Sequence, residues 1–330
     1  MVRRTVFPCA LLLAGALLTA CAGAPEAEST PAAPSEAFPV TLTNCGHEVV
    51  VDNAPERVIT LNQGATEVVL ALGLDDRLAG TAYLDDAVSQ RWADAYAAVP
   101  VLAEEYPTHE AILEAKPDLV YASYASAFDR EVAGDRPALA DLGAASYLSP
   151  FGCAEEDHRP DPTFDAVWHE LTDVAALLGA PERASTLIDE QKQTLAAVQE
   201  SAPGAGLKAL WFDSGDKTPL VGGGAGGPQV ILDAVGAENI FGSIERGWGE
   251  ASWEDVVAAD PDVIVLADAS WSTAAEKRTF LEKDPVLQNL TAVKQGALVT
   301  VAYSEATPGV RMVDGADAVA DQITELGLAR

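Results

Sequence analysis

The chain states one pattern twice. Residues 108–121 read T-H-E-A-I-L-E-A-K-P-D-L-V-Y, and residues 252–265 read S-W-E-D-V-V-A-A-D-P-D-V-I-V. Each copy opens on a hydroxyl residue, places a Glu two positions later, and ends in Pro-Asp running into an apolar stretch. A second echo precedes each copy, V-V-L-A-L-G at 68–73 and V-I-L-D-A-V-G at 230–236. The copies lie in opposite halves of a 330-residue chain, too far apart for a solenoid repeat. The pattern predicts two similar halves, and two like halves that face each other enclose a cleft.

Within each half, helical and strand patterns alternate. Residues 38–51 alternate apolar and polar positions around Asn44-Cys45-Gly46-His47, a β-hairpin signal. A strand at 57–61 leads into a helix from about Ala65 that closes at Gly73. Ile112-Leu113 precede a strand at 119–122, and a helix carrying Leu139 and Leu142 precedes one at 145–148. The second half restarts with a strand at 207–212 and a helix from Pro228 to Gly236. A helix at 253–259, strands at 263–266 and 298–301 and a terminal helix at 310–326 follow. Such alternation argues for parallel sheets covered on both faces. Between the halves, Phe164, Val167, Trp168, Leu171, Val174 and Leu178 fall at 3.6-residue spacing. A further helix from Pro181 to about Glu200 would span about 30 Å, enough for a strut between lobes. The expected fold class is α/β, with two similar lobes of mainly parallel sheets joined by one long α-helix and a cleft between them.

The N-terminus reads as export machinery. Arg3 and Arg4 precede an apolar run that ends in Leu18-Thr19-Ala20-Cys21. That run is too short to span a membrane and fits a secretory signal. The closing L-T-A-C resembles the bacterial lipoprotein box, which implies lipidation of Cys21. Residues 22–37 are rich in Ala, Pro, Ser and Glu and read as a tether. The expected organisation is a signal peptide at 1–20, a tether at 21–37, an N-terminal lobe at 38–160, a helical segment at 161–201 and a C-terminal lobe at 202–330. The protein is expected outside the cytoplasm, lipid-anchored to the outer face of the cell membrane, and monomeric. With Cys21 lipidated, Cys45 and Cys153 remain as a pair, read as a disulfide against two separate thiols. With 20 basic against 51 acidic residues, the net charge of −31 argues against a nucleic-acid partner.

The ordered set of motifs resembles the bacterial ABC-transporter substrate-binding proteins for ferric siderophores, haem and cobalamin. R-V-I-T-L-N-Q-G-A-T-E-V-V-L-A-L-G-L at 57–74, G-A-E-N-I-F at 236–241 and the doubled E-x-[IVL]-[LV]-x-A-x-P-D-[LV] signature carry that resemblance. It implies a receptor rather than an enzyme. Such a receptor would have no cofactor of its own, would bind an iron chelate or corrinoid, and would dock on a membrane permease. It also implies that Glu110 and Glu254, one per half, meet arginines of that permease. Two carboxylates held at fixed spacing can pair with two guanidinium forks. The plainer reading is that each Glu only favours the first turn of its helix, after Thr108 or Ser252.

Ligand residues in such folds lie past the C-terminal ends of strands. The aromatic candidates are Tyr83, Tyr106, Tyr124, Phe128, Phe212, Trp248, Trp271 and Tyr303, against the reading that several are core. Arg311 could pair with ligand oxygen or form a surface salt bridge, and Gln63 could bond ligand or cap a helix. The few basic residues on the expected cleft loops (Arg130, Lys217, Arg246 and Arg311) favour a neutral or cationic ferric hydroxamate, or a corrinoid, over a tri-anionic catecholate. The glycine run at 222–227 lacks the Lys-Ser/Thr of a phosphate loop, and close approach of a bulky ligand or loop flexibility explains it better. The four His share no metal-ligand spacing. The rival from another class, an exported hydrolase, finds no G-x-S-x-G or H-E-x-x-H.

Overall fold

The computed structural model describes residues 38–329, so the signal segment, the tether and Cys21 lie outside the described residues. The chain enters through a hairpin, β1 (Val40–Asn44) and β2 (His47–Val51), paired antiparallel. Cys45 and Gly46 turn it, both at positive φ (48° and 75°), as a two-residue loop matching strand twist requires. Asn44 locks the hairpin onto the lobe behind it. Its side-chain amide donates to Leu148 O at 2.8 Å, and Arg136 donates to its carbonyl and its amide oxygen. Cys45 is thereby set against Cys153, and the two form a disulfide.

The first sheet contains β3 (Val58–Leu61), β4 (Leu78–Ala82), β5 (Val101–Ala103), β6 (Leu119–Ala122) and β7 (Ala145–Leu148). Its order is β5-β4-β3-β6-β7, parallel throughout. The four residues of β3 and of β6 are all buried, as strands covered on both faces must be. The chain reverses direction across the sheet between β3 and β6, and the loops after these two strands meet at that switch point.

The second sheet contains β8 (Lys208–Ser214), β9 (Leu220–Gly222), β10 (Glu238–Asn239), β11 (Trp248–Glu250), β12 (Val263–Asp268) and β13 (Leu298–Ala302). Its order is β11-β9-β8-β12-β13, with β10 beside the first residues of β8. Most pairings here are parallel, as expected, and one edge of the sheet is antiparallel. β12 runs parallel to β8 and β13, but β9 is antiparallel to β8 and β11 to β9. The short β8–β9 connection leaves no room for a crossover helix, so the chain folds straight back.

The helix Pro181–Ser201 opens with Pro in its first turn and stops where Ala202 enters the left-handed region (φ 36°). It buries one stripe, Ala184, Ile188, Gln191, Leu195 and Val198, at three- and four-residue steps. Gln191 ties three segments together. It accepts from Trp168 Nε1 at 2.8 Å on the helix Phe164–Leu177 and donates to Val310 O at 2.7 Å ahead of the helix Met312–Glu325. These helices share one apolar core with the facing sides of both sheets, from Val58 and Tyr121 to Trp211 and Val265. Separate apolar layers cover the far side of each sheet. The two lobes are thus joined by a packed layer, not by a lone strut. The helix Arg136–Asp141 buries Leu139 and ends at its C-cap Leu142, which is 65% exposed.

Candidate functional site

A cavity of about 360 Å³ opens between the two lobes where the strands of both sheets end. From the N-terminal lobe come Gln63 and Gly64 after β3, Asp85 after β4, Ser123 and Tyr124 after β6, and Ser149 after β7. A strap carrying Phe151, Gly152, Arg159 and Pro160 adds a side wall. From the C-terminal lobe come Ala225 and Gly226, Trp248, and Tyr303 with Ser304 after β13. Packing at the switch point is tight. A Cβ on Gly64 would stand 2.9 Å from Ser123 Oγ, and the Ala65 N–H donates to that same oxygen at 3.0 Å.

Three of the aromatic candidates converge on this cavity. Tyr124, Trp248 and Tyr303 line it. Trp271 stands edge-on to Tyr303, ring centres 4.9 Å apart, and is 55% exposed, outside the cavity lining. The Trp248 and Tyr303 ring centres lie 6.2 Å apart, with the rings tilted by 34°. Burial, then the nearby Asp213 and Asp85 carboxylates, push the Tyr303 hydroxyl up to about 12, so it stays a neutral donor.

Other candidates lie elsewhere. Phe212 is buried on the far face of the second sheet, edge-on to Trp253 at 5.1 Å and against Phe280. It is core, because β8 is covered on both faces and its last residues alternate toward the outer layer. Phe128 packs on the outer layer of the N-terminal lobe, with the Arg136 guanidinium 5.7 Å above its ring, and does not line the cavity. Tyr106 is held beside the site. Its hydroxyl meets Asn62 Nδ2 at 3.1 Å and Ser126 Oγ at 3.0 Å, and its ring meets Tyr83 edge-on at 4.7 Å. Tyr83 has φ 62° and is exposed, but it too lies outside the cavity wall.

Gln63 and Arg311 form the foundation of the site. Gln63 is buried, and its Oε1 accepts from the Asp85 and Asp86 N–H groups, both at 2.9 Å. Its amide nitrogen donates to Asp86 and to Glu67. The side chain therefore holds the 85–87 turn, and the residue lines the cavity. Arg311 is also buried, so it forms no surface salt bridge, and it does not line the cavity. It lies among Glu67 and Asp86 of one lobe and Glu305 of the other. Burial outweighs its attraction and pushes the Glu67 carboxyl up to about 7.

The glycine run has a local explanation. A Cβ on Gly224 would stand 2.0 Å from Gly242 O, and one on Gly226 would stand 2.5 Å from Gly247 Cα. Gly223 and Gly224 donate to Gly247 O and Ile244 O. These glycines admit the chain's own 242–247 segment.

Sequence reading missed Asp85, Phe151 and Arg159. Asp85 follows β4 two positions after Tyr83, so the strand-end rule that singled out Tyr83 reaches it as well. Burial and then Asp86 push its carboxyl up to about 6. Arg159 is turned into the strap, donating to the carbonyls of Cys153 and Ala154.

Glu110 and Glu254 each occupy the first turn of an exposed short helix. Thr108 Oγ1 accepts from Ala111 N at 3.3 Å, and Ser252 Oγ accepts from Asp255 N at 3.1 Å. The Glu110 N–H and the Thr108 hydroxyl hold the Glu110 carboxyl below its usual range. The doubled sequence thus produces a doubled structure, one capped and acid-bearing helix per lobe.

A sequence profile described as periplasmic binding protein matches residues 58–303. The chain belongs to the periplasmic binding protein family. An uncharacterised ABC transporter substrate-binding lipoprotein of Bacillus subtilis is 26% identical over 330 residues, covering 98% of each chain. A cobalamin-binding protein of Halobacterium salinarum is 26% identical over 90% of this chain and 78% of its own. Among solved structures, a periplasmic binding protein from Veillonella parvula superposes with TM-score 0.73 at 26% identity, over 86% of this chain and 96% of its own. A structure titled as an ABC-type Fe3+-hydroxamate transport system, from Saccharomonospora viridis, shares the fold with TM-score 0.69 at 24% identity, over 86% of this chain and 99% of its own.

Proposed function

We propose that this chain is the extracytoplasmic receptor of an ABC importer, held at the outer face of the membrane by lipid on Cys21. It captures a ferric siderophore or similar chelate between its lobes and delivers it to a permease. The observation that carries this reading is the interlobe cavity, walled by Tyr124 from one lobe and by Trp248 and Tyr303 from the other. Aromatic faces give a flat, partly apolar ligand a large contact area at low entropy cost. The shared central core favours small lobe movements over wide hinge closure. Glu110 and Glu254 are the docking residues in this reading, and the protein acts as a monomer that performs no chemistry on its cargo.

A corrinoid is the second reading, favoured by the cobalamin-binding relative that aligns along most of this chain. Mass spectrometry of the small molecule that co-purifies with the native protein separates the two. Saturable quenching of tryptophan fluorescence by the recovered compound, returned unaltered, is the expected outcome. Chemical conversion of the compound by the purified protein would instead point to an enzyme.

A further inference from the structure

We propose that Asp85 is the ionic contact of the cleft, and that the cavity selects chelates bearing an ammonium or comparable cationic group over polyanionic ones. The inference rests on the receptor reading and names the ligand class of that same cavity.

The two adjacent acids of the 85–86 turn differ sharply. Asp86 is fully engaged. Its carboxylate accepts from Ser304 N and Ser304 Oγ, both at 2.9 Å, and from Gln63, and it lies 3.6 Å from Arg311. Asp85 is bonded only through its backbone, its N–H to Gln63 Oε1 and its carbonyl to Ser270 N. No hydrogen bond or ion pair reaches its carboxylate from the described residues, yet the residue is half-buried and lines the cavity. A carboxylate removed from water without a partner is costly, and a cationic or donor group placed beside it relieves that cost.

The surroundings complete a cation site. Tyr124 and Tyr303 feel the Asp85 charge, and Trp248 and Trp271 flank Tyr303. Aromatic faces attract ammonium groups, and a carboxylate among them supplies the counter-charge. Among the described residues Arg159 is the one cationic side chain in the cavity wall, and its Nε and Nη2 already donate to the carbonyls of Cys153 and Ala154. Arg311 is sealed below, among three carboxylates. The net charge of −31 adds a long-range field that draws cations toward the protein.

A matched pair of probes isolates the charge. Ferrioxamine B carries a pendant ammonium, and its N-acetyl derivative has the same ferric centre without it. Both are titrated by tryptophan quenching, with cyanocobalamin and haemin alongside, against wild type, Asp85→Asn and Asp85→Glu. Wild type is expected to bind ferrioxamine B at least about tenfold more tightly than the acetylated form, the scale of one charge-assisted hydrogen bond. Asp85→Asn should erase that preference, and Asp85→Glu, which keeps the charge, should retain most of it. Equal binding of the pair by wild type, a preference surviving in Asp85→Asn, or tighter binding of haemin overturns the proposal. Binding of cyanocobalamin alone also overturns it while leaving the receptor reading intact. Failure of every probe to quench wild type overturns both.

Discussion

Arg311 reaches from the C-terminal lobe to Glu67 on the first helix of the N-terminal lobe, Nη1 to Oε1 at 3.3 Å. The same nitrogen donates to Ser304 Oγ at 2.6 Å, and the other terminal nitrogen pairs with Glu305. Both Arg311 and Glu67 are almost wholly buried, so water cannot replace a lost partner. Removing one member of a buried, hydrogen-bonded charge cluster costs about 3–5 kcal/mol. Arg311→Leu should lose stability on that scale at pH 7.5, read from the urea midpoint. Arg311→Lys should recover only part, because an ammonium cannot fork between Glu67 and Glu305. The loss should shrink at pH 5, where Glu67, with its carboxyl near 7, is already neutral. An unchanged midpoint would remove the cluster from the forces that join the lobes.

Behind Ser149, on the cavity wall, lies a second buried acid with no cation beside it among the described residues. Glu170 accepts from the Tyr121 hydroxyl at 2.7 Å, and burial pushes its carboxyl from 4.5 up to about 7. A raised acid binds its proton more tightly when folded than when unfolded. Below pH 4.5 both states are protonated and folding carries no penalty. Between pH 4.5 and 7 the unfolded chain has ionised while the folded chain has not, so stability falls as pH rises. By pH 7.5 the contribution is on the order of 3 kcal/mol. Glu170→Gln can still accept from Tyr121 but does not titrate. The variant should therefore show a flatter stability profile across that window, by urea melts at pH 4.5, 6 and 7.5. Parallel profiles for variant and wild type would refute the assignment.

The sequence exposed the architecture because the doubled motif carries its own caps. Thr108 and Ser252 begin matching helices, and the apolar runs after both Pro-Asp pairs are strands. It concealed which strand-end residues face the cleft. In β8, residues 209–213 are all buried, so no alternation marks the face that Phe212 takes. Arg311 acquires its role from Glu67 and Asp86, carboxylates from the opposite end of the chain whose placement no local pattern encodes. The helix Ala274–Lys283 was missed because its apolar stripe is weak, although its capping box was readable. Thr273 accepts from Glu276 N at 3.2 Å, and Glu276 accepts from Thr273 N at 3.1 Å.

The Cys45–Cys153 disulfide closes a sequence separation of 108 residues and pins one end of the cavity strap to the hairpin turn. Arg159 folds back on the Cys153 carbonyl, and a Cβ on Gly152 would stand 2.0 Å from Ser123 O, so the strap has little slack. Loss of a native disulfide typically costs about 2–5 kcal/mol. The Cys45→Ser, Cys153→Ser double variant should lose stability in that range. It should also bind the co-purified ligand several-fold more weakly, because Phe151, Arg159 and Pro160 line the cavity. Urea midpoints with and without dithiothreitol, beside fluorescence titrations, read the two effects separately. Identical midpoints for oxidised and reduced wild type would show that the bond does not staple the fold.

Glu110 and Glu254 test the delivery half of the reading. Each is solvent-exposed on a short helix whose N-cap is the hydroxyl residue of the doubled motif, and neither lines the interlobe cavity. Their substitution should therefore leave capture untouched and impair only hand-over. Side chains on the first exposed turn of a helix contribute little to stability, so Glu110→Ala with Glu254→Ala should melt within about 1 kcal/mol of wild type. The ligand dissociation constant should stay within about twofold, while loss of two charge-assisted contacts to a partner should lower transport at least about tenfold. Uptake of radiolabelled ligand by cells carrying the cognate permease, with fluorescence titration of the purified variants, separates the two steps. Lysine at both positions should abolish uptake more completely than alanine, because in the proposed docking it sets like charges against the permease's arginines. Wild-type uptake in the lysine pair would show that the permease engages another surface, and weakened ligand binding in the alanine pair would place these acids inside the binding apparatus.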